Sequence, residues 1–252
     1  YSFALGLGKK VLLADSLAKI VSQGYADVTA LNSTEALLVM VCYSLQLYFD
    51  FSGYCDMASG IALMFNLNLP MNFNSPYKAA SISEFWDRWH MTLTRFFTRY
   101  VYIPLGGSRK GTARTLLNIM IIFLLSGFWH GTNWTFLVWG ALHGLCMVFE
   151  RVTGYEKWKL PHVLKVAWNF VLTTFAWSIF RAESLSQAGQ LWNRLFTGGI
   201  GKISGQITSV FNDTMEIRLL VRMKLLPFLS GHPGVPAVAM TVVLLIACFL
   251  MK

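Results

Sequence analysis

Two histidines, His130 and His143, lie in a strongly apolar stretch that reads LLSGFWHGTNWTFLVWGALHGL over residues 124–145. An ionisable residue in a segment of this kind is costly to bury, and it marks a candidate functional site by default. The alternative is a neutral imidazole that bonds two packed helices together. Glycines flank both histidines, which permits close backbone approach or leaves room for a ligand beside the ring. The pattern therefore favours a reactive histidine over a packing residue.

A third histidine, His90, lies in the segment SISEFWDRWHMTLTRFFTRY over residues 81–100. The chain contains no GxSxG, phosphate-loop or HExxH pattern. Histidines without a nucleophilic partner suit general-base catalysis, in which the imidazole deprotonates an incoming hydroxyl group. Haem or metal ligation is less favoured, because His130 and His143 are far apart along the chain and no cysteine or methionine cluster accompanies them. We predict no metal site and no bound cofactor.

The composition indicates which elements must position these histidines. Hydrophobic residues make up 55% of the 252 residues and charged residues 13%, whereas soluble domains carry about 25% charged residues. Apolar runs approach the roughly 20 residues of a spanning helix; they cover residues 36–51, 53–69, 115–131, 133–149, 163–180 and 235–251. We predict an all-α polytopic membrane protein with five or six transmembrane or re-entrant helices. Most of the charged residues that give the net charge of +9 lie between these apolar runs, so nucleic-acid binding is not favoured.

Residues 70–114 form a polar and aromatic insert between the apolar runs, with seven Lys or Arg against two acids. This excess of positive charge predicts the cytoplasmic side of the membrane. Ser81 and Glu84 have the spacing of a capping box, so a helix should start there and continue to about Tyr102. Its opposite faces are apolar and basic, with Trp86, His90, Leu93 and Phe97 against Arg88, Arg95 and Arg99. The insert is predicted to be an interfacial amphipathic helix with His90 on its buried face.

A break near Gly131 should divide residues 115–149 into a helical hairpin. Both ends of the hairpin would face the basic side of the membrane. His130, at the turn, would then lie deepest in the membrane, where it could be reached from a cavity rather than directly from bulk water. His143, one arm away, is better explained as a packing or orienting residue. The whole chain, residues 1–252, is expected to belong to a single membrane domain.

The remaining polar residues carry weaker signals. Asp50 and Asp56 are six residues apart and point to different helix faces, so they do not form a paired-carboxylate site. Asp50 could orient a histidine, but an ion pair with an arginine of residues 70–114 is favoured. The four scattered cysteines predict buried thiols rather than disulfides or a zinc site. His162 and His232 are in proline-containing loops and are expected to be exposed, without an assigned role.

The N-terminal segment does not resemble a secretory signal. The chain begins at Tyr1, and Lys9 and Lys10 interrupt the first apolar run, whereas a signal peptide has a basic start and an unbroken apolar core. We expect the chain to be a piece that starts inside a longer protein.

Four motifs follow one another in a specific order: GLGKKVLLADSLA (6–18), YSLQLYFDFSGYCDMASGIALMFNLNLPMNFNSPY (43–77), SISEFWDRWHMTLTRFFTRYVYIPLGGSRKG (81–111) and LLSGFWHGTNWTFLVWGALHG (124–144). The series resembles the membrane-bound O-acyltransferase (MBOAT) family. Within that family it is most similar to the alginate O-acetyltransferase branch, which is related to the protein that D-alanylates teichoic acids. FRAESLSQA (180–188) is a weaker similarity.

The resemblance implies an O-acyltransferase that moves acetyl groups to hydroxyls of an exported or cell-surface polysaccharide, such as alginate. An acyl donor such as acetyl-CoA would be the co-substrate. The family's catalytic histidine corresponds to His130, the expected general base. Its second essential histidine or asparagine corresponds to His90, which would orient substrate or stabilise charge. We expect Trp129, Asn133 and Asp50 to bind substrate.

The resemblance also implies a multi-pass protein of the inner cell membrane with several further helices before this chain. Its expected partners are the lipid bilayer, the acyl donor, the polysaccharide acceptor and periplasmic or extracellular acetylation proteins. Two other functions stay open. A transporter would use the histidines as a proton relay or substrate site, and it predicts inverted repeats, which we do not find. A non-catalytic membrane subunit would deliver acyl groups or recruit a soluble partner.

Overall fold

The computed structural model describes residues 1–212 and 235–250, and His232 lies outside them. Within these ranges the chain forms helices joined by turns, and the only strand-like contact is an isolated bridge between Phe73 and Trp89. The predicted all-α class is confirmed. The described chain divides into two compact units, Tyr1–Leu69 with Ser186–Leu250, and Pro70–Leu185.

The helices are, in chain order, α1 (Ser2–Gly8), α2 (Asp15–Ala26), α3 (Ser33–Met64), α4 (Ile82–Arg88), α5 (Met91–Phe97), α6 (Thr112–His130), α7 (Trp134–Thr153), α8 (His162–Arg181), α9 (Leu185–Thr197), α10 (Gly205–Asn212) and α11 (Val235–Leu250). Two π-helical segments extend this set, Lys9–Ala14 between α1 and α2 and Thr98–Tyr102 after α5. Short 3₁₀ turns cover Val28–Ala30, Pro76–Lys78 and Tyr155–Lys157.

Four of these helices, α3, α6, α7 and α8, are long and apolar enough to cross a membrane. The chain is therefore a multi-pass membrane protein. The sixth apolar run forms α11, which has 16 residues and is shorter than a typical span. His162 is the first residue of α8 and is exposed, so it begins a helix rather than lying in a loop.

The helix α3 is continuous over 32 residues, although two separate apolar runs predict two helices there. The side chain of Asn32 accepts a hydrogen bond from the Glu35 N–H, and the Glu35 carboxylate accepts one from the Asn32 N–H, which forms a capping box. The predicted separation near Gly53 is wrong because this glycine serves helix packing. A Cβ at Gly53 would lie 2.8 Å from the carbonyl oxygen of Gly6 on α1.

Two neighbouring lysines join the first π-helical segment to α3. The Nζ atom of Lys9 lies 2.7 Å from Asp56 Oδ2, and that of Lys10 lies 2.7 Å from Asp50 Oδ1. Lys10 also contacts Asp15 at 2.8 Å. The ion pair expected for Asp50 therefore forms with Lys10 rather than with an arginine of the insert. The reason is that the N-terminal helices pack along α3 and bring both lysines to its carboxylates.

The continuous helix predicted from Ser81 to about Tyr102 is wrong. The start is as expected, because Ser81 Oγ accepts a hydrogen bond from the Glu84 N–H at 3.0 Å. The Glu84 carboxylate bonds the Ala80 N–H and pairs with Arg88 at 2.7 Å. The helix then ends at Arg88, and α5 begins only at Met91. Gly106, Gly107 and Gly111 all have positive φ angles and turn the chain back towards α6.

The helices α6 and α7 form a hairpin with its turn just after His130, where the sequence predicts a break. They cross at Gly127 and Gly140, because a Cβ at Gly140 would overlap the carbonyl oxygen of Phe123 and lie 3.4 Å from Gly127 Cα. Any side chain at this crossing would push the two helices apart.

Replacing Gly140 with alanine should lower the free energy of unfolding by about 1–3 kcal/mol, because the new methyl group meets backbone that cannot rotate away. Thermal and denaturant unfolding in detergent measures this change. Gly189→Ala is the matched control, since Gly189 is exposed on α9 and its Cβ would meet no atom within 4 Å. That variant should gain about 0.4–1 kcal/mol. Equal effects of the two variants would contradict the packing role of Gly140.

Candidate active site

His90 lies at a sharp break between α4 and α5. Trp89 is extended, and His90 has φ +45° and ψ +51°, the left-handed conformation that non-glycine residues rarely adopt. Such backbone costs free energy and persists only where the surroundings enforce it. Here the surroundings are the loop before α4: the Asn74 N–H donates to the Arg88 carbonyl, and the Met91 N–H donates to the Asn72 carbonyl.

The side chain of Asn72 determines which ring nitrogen of His90 carries the proton. Its Oδ1 atom accepts hydrogen bonds from the Thr92 N–H at 3.2 Å and the Thr92 hydroxyl at 2.6 Å. The His90 Nδ1 atom lies 3.3 Å from the same oxygen. Because an amide oxygen only accepts, Nδ1 must carry the proton, and the lone pair of the neutral ring is on Nε2. Nε2 is therefore the atom of His90 that can accept a proton.

Burial lowers the pKa of His90 to about 4. Loss of hydration in this half-buried position costs the charged imidazolium more free energy than the neutral ring. His90 is therefore neutral at physiological pH, and its Nε2 accepts hydrogen bonds rather than donating them.

The lowered pKa of His90 predicts a loss of stability in acid. As the pH falls from about 6.5 towards 4, the unfolded chain binds a proton at this histidine before the folded protein does. The stability that the neutral ring contributes above pH 6.5 is therefore lost as the pH falls through 4. The measurement is the unfolding midpoint against pH for the unmodified protein and for His90→Asn. A difference that stays constant from pH 7 to pH 4 would contradict the assignment.

His130 is the last residue of α6, and aromatic rings surround it. Its imidazole lies edge-on to Trp139 at 5.3 Å and to Phe180 at 5.1 Å between ring centroids, and Trp129 lies at 4.9 Å. The side chain is partly exposed, and it makes no hydrogen bond to any other described residue. His90 and His130 are close enough to interact electrostatically. The fold thus brings together two histidines that are 40 positions apart in the sequence.

His143 occupies a different environment, with only 1% of its surface exposed. Its Nδ1 atom accepts a hydrogen bond from Trp86 Nε1 at 3.3 Å. Its Nε2 atom is buried without a hydrogen-bond partner among the described residues. The ring is enclosed by aromatic side chains and lines no described cavity, so it is shielded from any substrate.

The three predicted substrate-binding residues have different surroundings. Trp129 is 60% exposed beside His130. Asn133 serves the fold, because its Oδ1 caps α7 at the Thr135 N–H and its Nδ2 donates to the Glu183 carbonyl. Asp50 belongs to the other compact unit, where it pairs with Lys10. A substrate contact by any of the three stays a prediction.

Sequence reasoning missed three residues that hold the two histidines in place. Asn72 was recognisable only as part of an Asn- and Pro-rich loop. The Glu150 carboxylate of α7 accepts hydrogen bonds from the N–H groups of Ile82 and Ser83, at 2.6 and 3.0 Å, and so caps α4. Trp177 of α8 contacts both Trp89, next to His90, and Trp139, next to His130. Nothing in their local sequence indicates these tertiary contacts.

A cavity of about 260 Å³ lies between the insert and the hairpin. The predicted apolar stripe contributes Trp86, Leu93 and Phe97 to its wall, whereas His90 is not among the lining residues. Ser126 also lines it, one helical turn before His130. This serine is 4% exposed and its hydroxyl has no hydrogen-bond partner among the described residues. In the part of the chain that the structure describes, no three His, Cys, Asp or Glu side chains gather as a metal site.

Comparison with known proteins identifies relatives that are similar to this chain in sequence. A peptidoglycan O-acetyltransferase of Helicobacter pylori is 46% identical over 192 residues, which are 75% of this chain and 36% of the relative. A probable alginate O-acetylase of Pseudomonas aeruginosa is 42% identical over 226 residues, 87% of this chain and 43% of the relative. A teichoic acid D-alanyltransferase of Bacillus subtilis is 31% identical over 163 residues, 58% of this chain and 41% of the relative.

The chain spans less than half the length of each of these relatives. The family model of the membrane-bound O-acyltransferases matches residues 1–185. This range contains Tyr1–Leu69 of one compact unit and Pro70–Leu185 of the other, and it includes His90, His130 and His143. Because that match covers well over half of the 252 residues, the chain belongs to the membrane-bound O-acyltransferase family.

Proposed function

We propose that the protein transfers acetyl groups to hydroxyl groups of an exported or cell-surface polysaccharide. The observation that carries the proposal is that His90 and His130, two partly exposed imidazoles, lie within electrostatic reach of each other in the compact unit that also contains the cavity. The relatives support the reaction class, because one is a peptidoglycan O-acetyltransferase, one is a probable alginate O-acetylase and one is a teichoic acid D-alanyltransferase.

His130 is the proposed general base. It removes the proton from an acceptor hydroxyl while that oxygen attacks the carbonyl carbon of an acetyl thioester. The tetrahedral intermediate then expels the thiolate, and the imidazolium of His130 returns its proton to that sulfur. Base catalysis of this kind requires a neutral imidazole within hydrogen-bond reach of the hydroxyl. The absence of a protein hydrogen bond to His130 among the described residues leaves its ring nitrogens available for this contact.

His90 is the proposed orienting residue. Its Nδ1 proton is committed to Asn72, so a neutral His90 offers a lone pair at Nε2. That atom can hold the acceptor hydroxyl by accepting its hydrogen bond, which presents the oxygen to the donor. The oxyanion would need a hydrogen-bond donor instead, so orienting the hydroxyl fits His90 better than stabilising negative charge.

The acyl donor is proposed to be a soluble thioester such as acetyl-CoA. The cavity between the insert and the hairpin supports this choice, because its walls are mainly apolar and carry a few polar groups, including the charged side chains of Asp87 and Arg151, as ligand pockets do. Ser126 places an unpartnered hydroxyl on that wall one turn from His130. The donor would act as a co-substrate, with no cofactor held permanently.

The inner cell membrane is the proposed location, with the basic insert on the cytoplasmic side. A cytoplasmic donor and an exported acceptor require transfer across the bilayer or passage to a further acceptor. Periplasmic or extracellular acetylation proteins are therefore proposed partners.

The decisive experiment supplies radiolabelled acetyl-CoA to membranes from cells that produce the protein, with alginate or peptidoglycan as acceptor. Label in the polymer that depends on the protein supports an acetyltransferase. Label that reaches polymer only after a soluble partner is added identifies a subunit of an acylation complex. Uptake of polymer or proton flux without any dependence on the donor would instead indicate a transporter and would contradict the proposal.

A further inference from the structure

We propose that His143 is a positioning residue that holds His90 and His130 at their working separation, through Trp86 on one side and Trp139 on the other. The inference rests on the proposed acetyl transfer, and it assigns a role to a buried histidine that the reaction itself does not use.

The imidazole of His143 is fixed in one orientation. Phe85 of α4 stacks on it at 6.3 Å with an interplanar angle of 9°, and Phe123 of α6 stacks at 6.2 Å with 20°. These contacts, with those of Trp86 and Trp139 at 5.2 Å each, enclose the imidazole in aromatic side chains. Its Nδ1 atom faces the Trp86 indole and accepts the N–H hydrogen bond. The ring must therefore carry its single proton on Nε2.

The hydrogen bond to Trp86 affects both segments that flank His90, namely α4 before it and α5 after it. Trp86 lies on the seven-residue helix α4, which ends two residues before His90. The carbonyl oxygen of Trp86 also accepts a hydrogen bond from the Thr94 hydroxyl of α5, at 3.1 Å. A shift of Trp86 would therefore move the segments that precede and follow His90 together.

The second connection runs along α7 to His130. Trp139 lies one helical turn before His143, and their ring centroids are 5.2 Å apart. The same indole is in edge-on contact with the His130 ring at 5.3 Å. Trp139 is fully buried and contacts Trp86 as well, at 5.8 Å. Thus one face of α7, formed by Trp139 and His143, contacts both α4, which leads to His90, and the ring of His130.

Packing alone does not account for a histidine at this position. A phenylalanine or leucine would fill the space without burying a polar atom. The histidine satisfies the Trp86 N–H but leaves its own Nε2 without a partner among the described residues, which is unfavourable in a buried site. The proposed reason for a histidine here is the hydrogen bond to Trp86, which ties the Trp86 indole on α4 to α7.

The test compares His143→Phe, His143→Gln, Trp86→Phe and the double variant His143→Phe/Trp86→Phe, with kcat and KM for acetyl-CoA measured in membranes. Phenylalanine keeps the ring stack but removes the acceptor, so kcat should fall at least tenfold while KM changes less than twofold. Glutamine offers an Oε1 acceptor to the Trp86 N–H and should recover most of the rate. Because both single changes break the same bond, the double variant should be no slower than the slower single variant.

Two results would overturn the proposal. One is an unchanged kcat in His143→Phe, and the other is a loss of rate that matches the loss of folded protein in the membrane, judged by thermal unfolding of each variant. Trp86→Phe provides an independent measurement if His143→Phe is poorly folded, since it removes the donor and leaves the histidine. Active unmodified protein with unaffected variants would overturn only the positioning role, whereas inactive unmodified protein would overturn the acetyl-transfer proposal with it.

Discussion

Replacing His130 with alanine should reduce the rate of acetyl transfer by about 10²–10⁴-fold, the range typical for loss of a general base. The methyl group of alanine cannot accept the hydroxyl proton, so the attacking oxygen would have to lose it to water in a mainly apolar site. The measurement is transfer of labelled acetyl groups to polymer at matched protein levels in the membrane. Because His130 packs against the rings of Trp129, Trp139 and Phe180, its removal should also lower the unfolding midpoint, so the rates are compared at matched amounts of folded protein.

His162→Ala is the matched control for this experiment. His162 is an exposed histidine at the start of α8, so its removal tests the loss of an imidazole without touching the site. It should retain full activity. Normal polymer acetylation by His130→Ala would contradict the assignment of the base, and equal losses in both variants would indicate a general effect of the substitutions.

Replacing His90 with glycine should abolish most of the activity, by about 10²-fold or more, and yet maintain or raise stability. The two effects separate because the backbone of His90 is left-handed, at φ +45°. Glycine adopts this conformation without strain, whereas it cannot orient a hydroxyl group. The expected result is an inactive protein with an unfolding midpoint at or above that of the unmodified protein.

Two further variants at this position separate backbone from chemistry. His90→Ala removes the imidazole and keeps the strain, so it should be less stable than His90→Gly and equally inactive. His90→Asn tolerates the left-handed conformation and provides an acceptor oxygen, so it should retain part of the rate. Full activity in His90→Gly would rule out a role for the imidazole, and an unstable His90→Gly would show that the side chain supports the fold instead.

The membrane-spanning elements were predictable from the sequence because apolar composition and length depend on local residues only. The turn after His130 was predictable for the same reason, since Gly131 follows the histidine directly. The prediction of two helices in place of α3 was wrong because a glycine can either interrupt a helix or allow another helix to pack closely against it. Gly53 could have marked a break, but its contact with Gly6 on another helix makes it a packing position, and that partner is 47 residues away.

The break at His90 was not predictable from helical spacing. Residues 81–102 have a regular amphipathic pattern, and every local preference favours one helix. Tertiary contacts overcome that preference: Asn72 bonds Thr92 and His90, and Asn74 bonds Arg88, so the preceding loop holds the chain open at this point. Trp89, extended at the break, is buried against Phe85 and Trp177 and stabilises it.

The sequence by itself determined the all-α membrane class, the apolar hairpin and the identity of the histidines that could do chemistry, because these depend on composition and on neighbours a few positions apart. The sequence also indicated that His143 packs or orients rather than reacts, but only the tertiary structure showed how each histidine is surrounded. His90 and His130 are partly exposed and close together, whereas His143 is enclosed by aromatic rings. That difference depends on burial and on contacts between helices distant in the chain, which the local sequence does not encode.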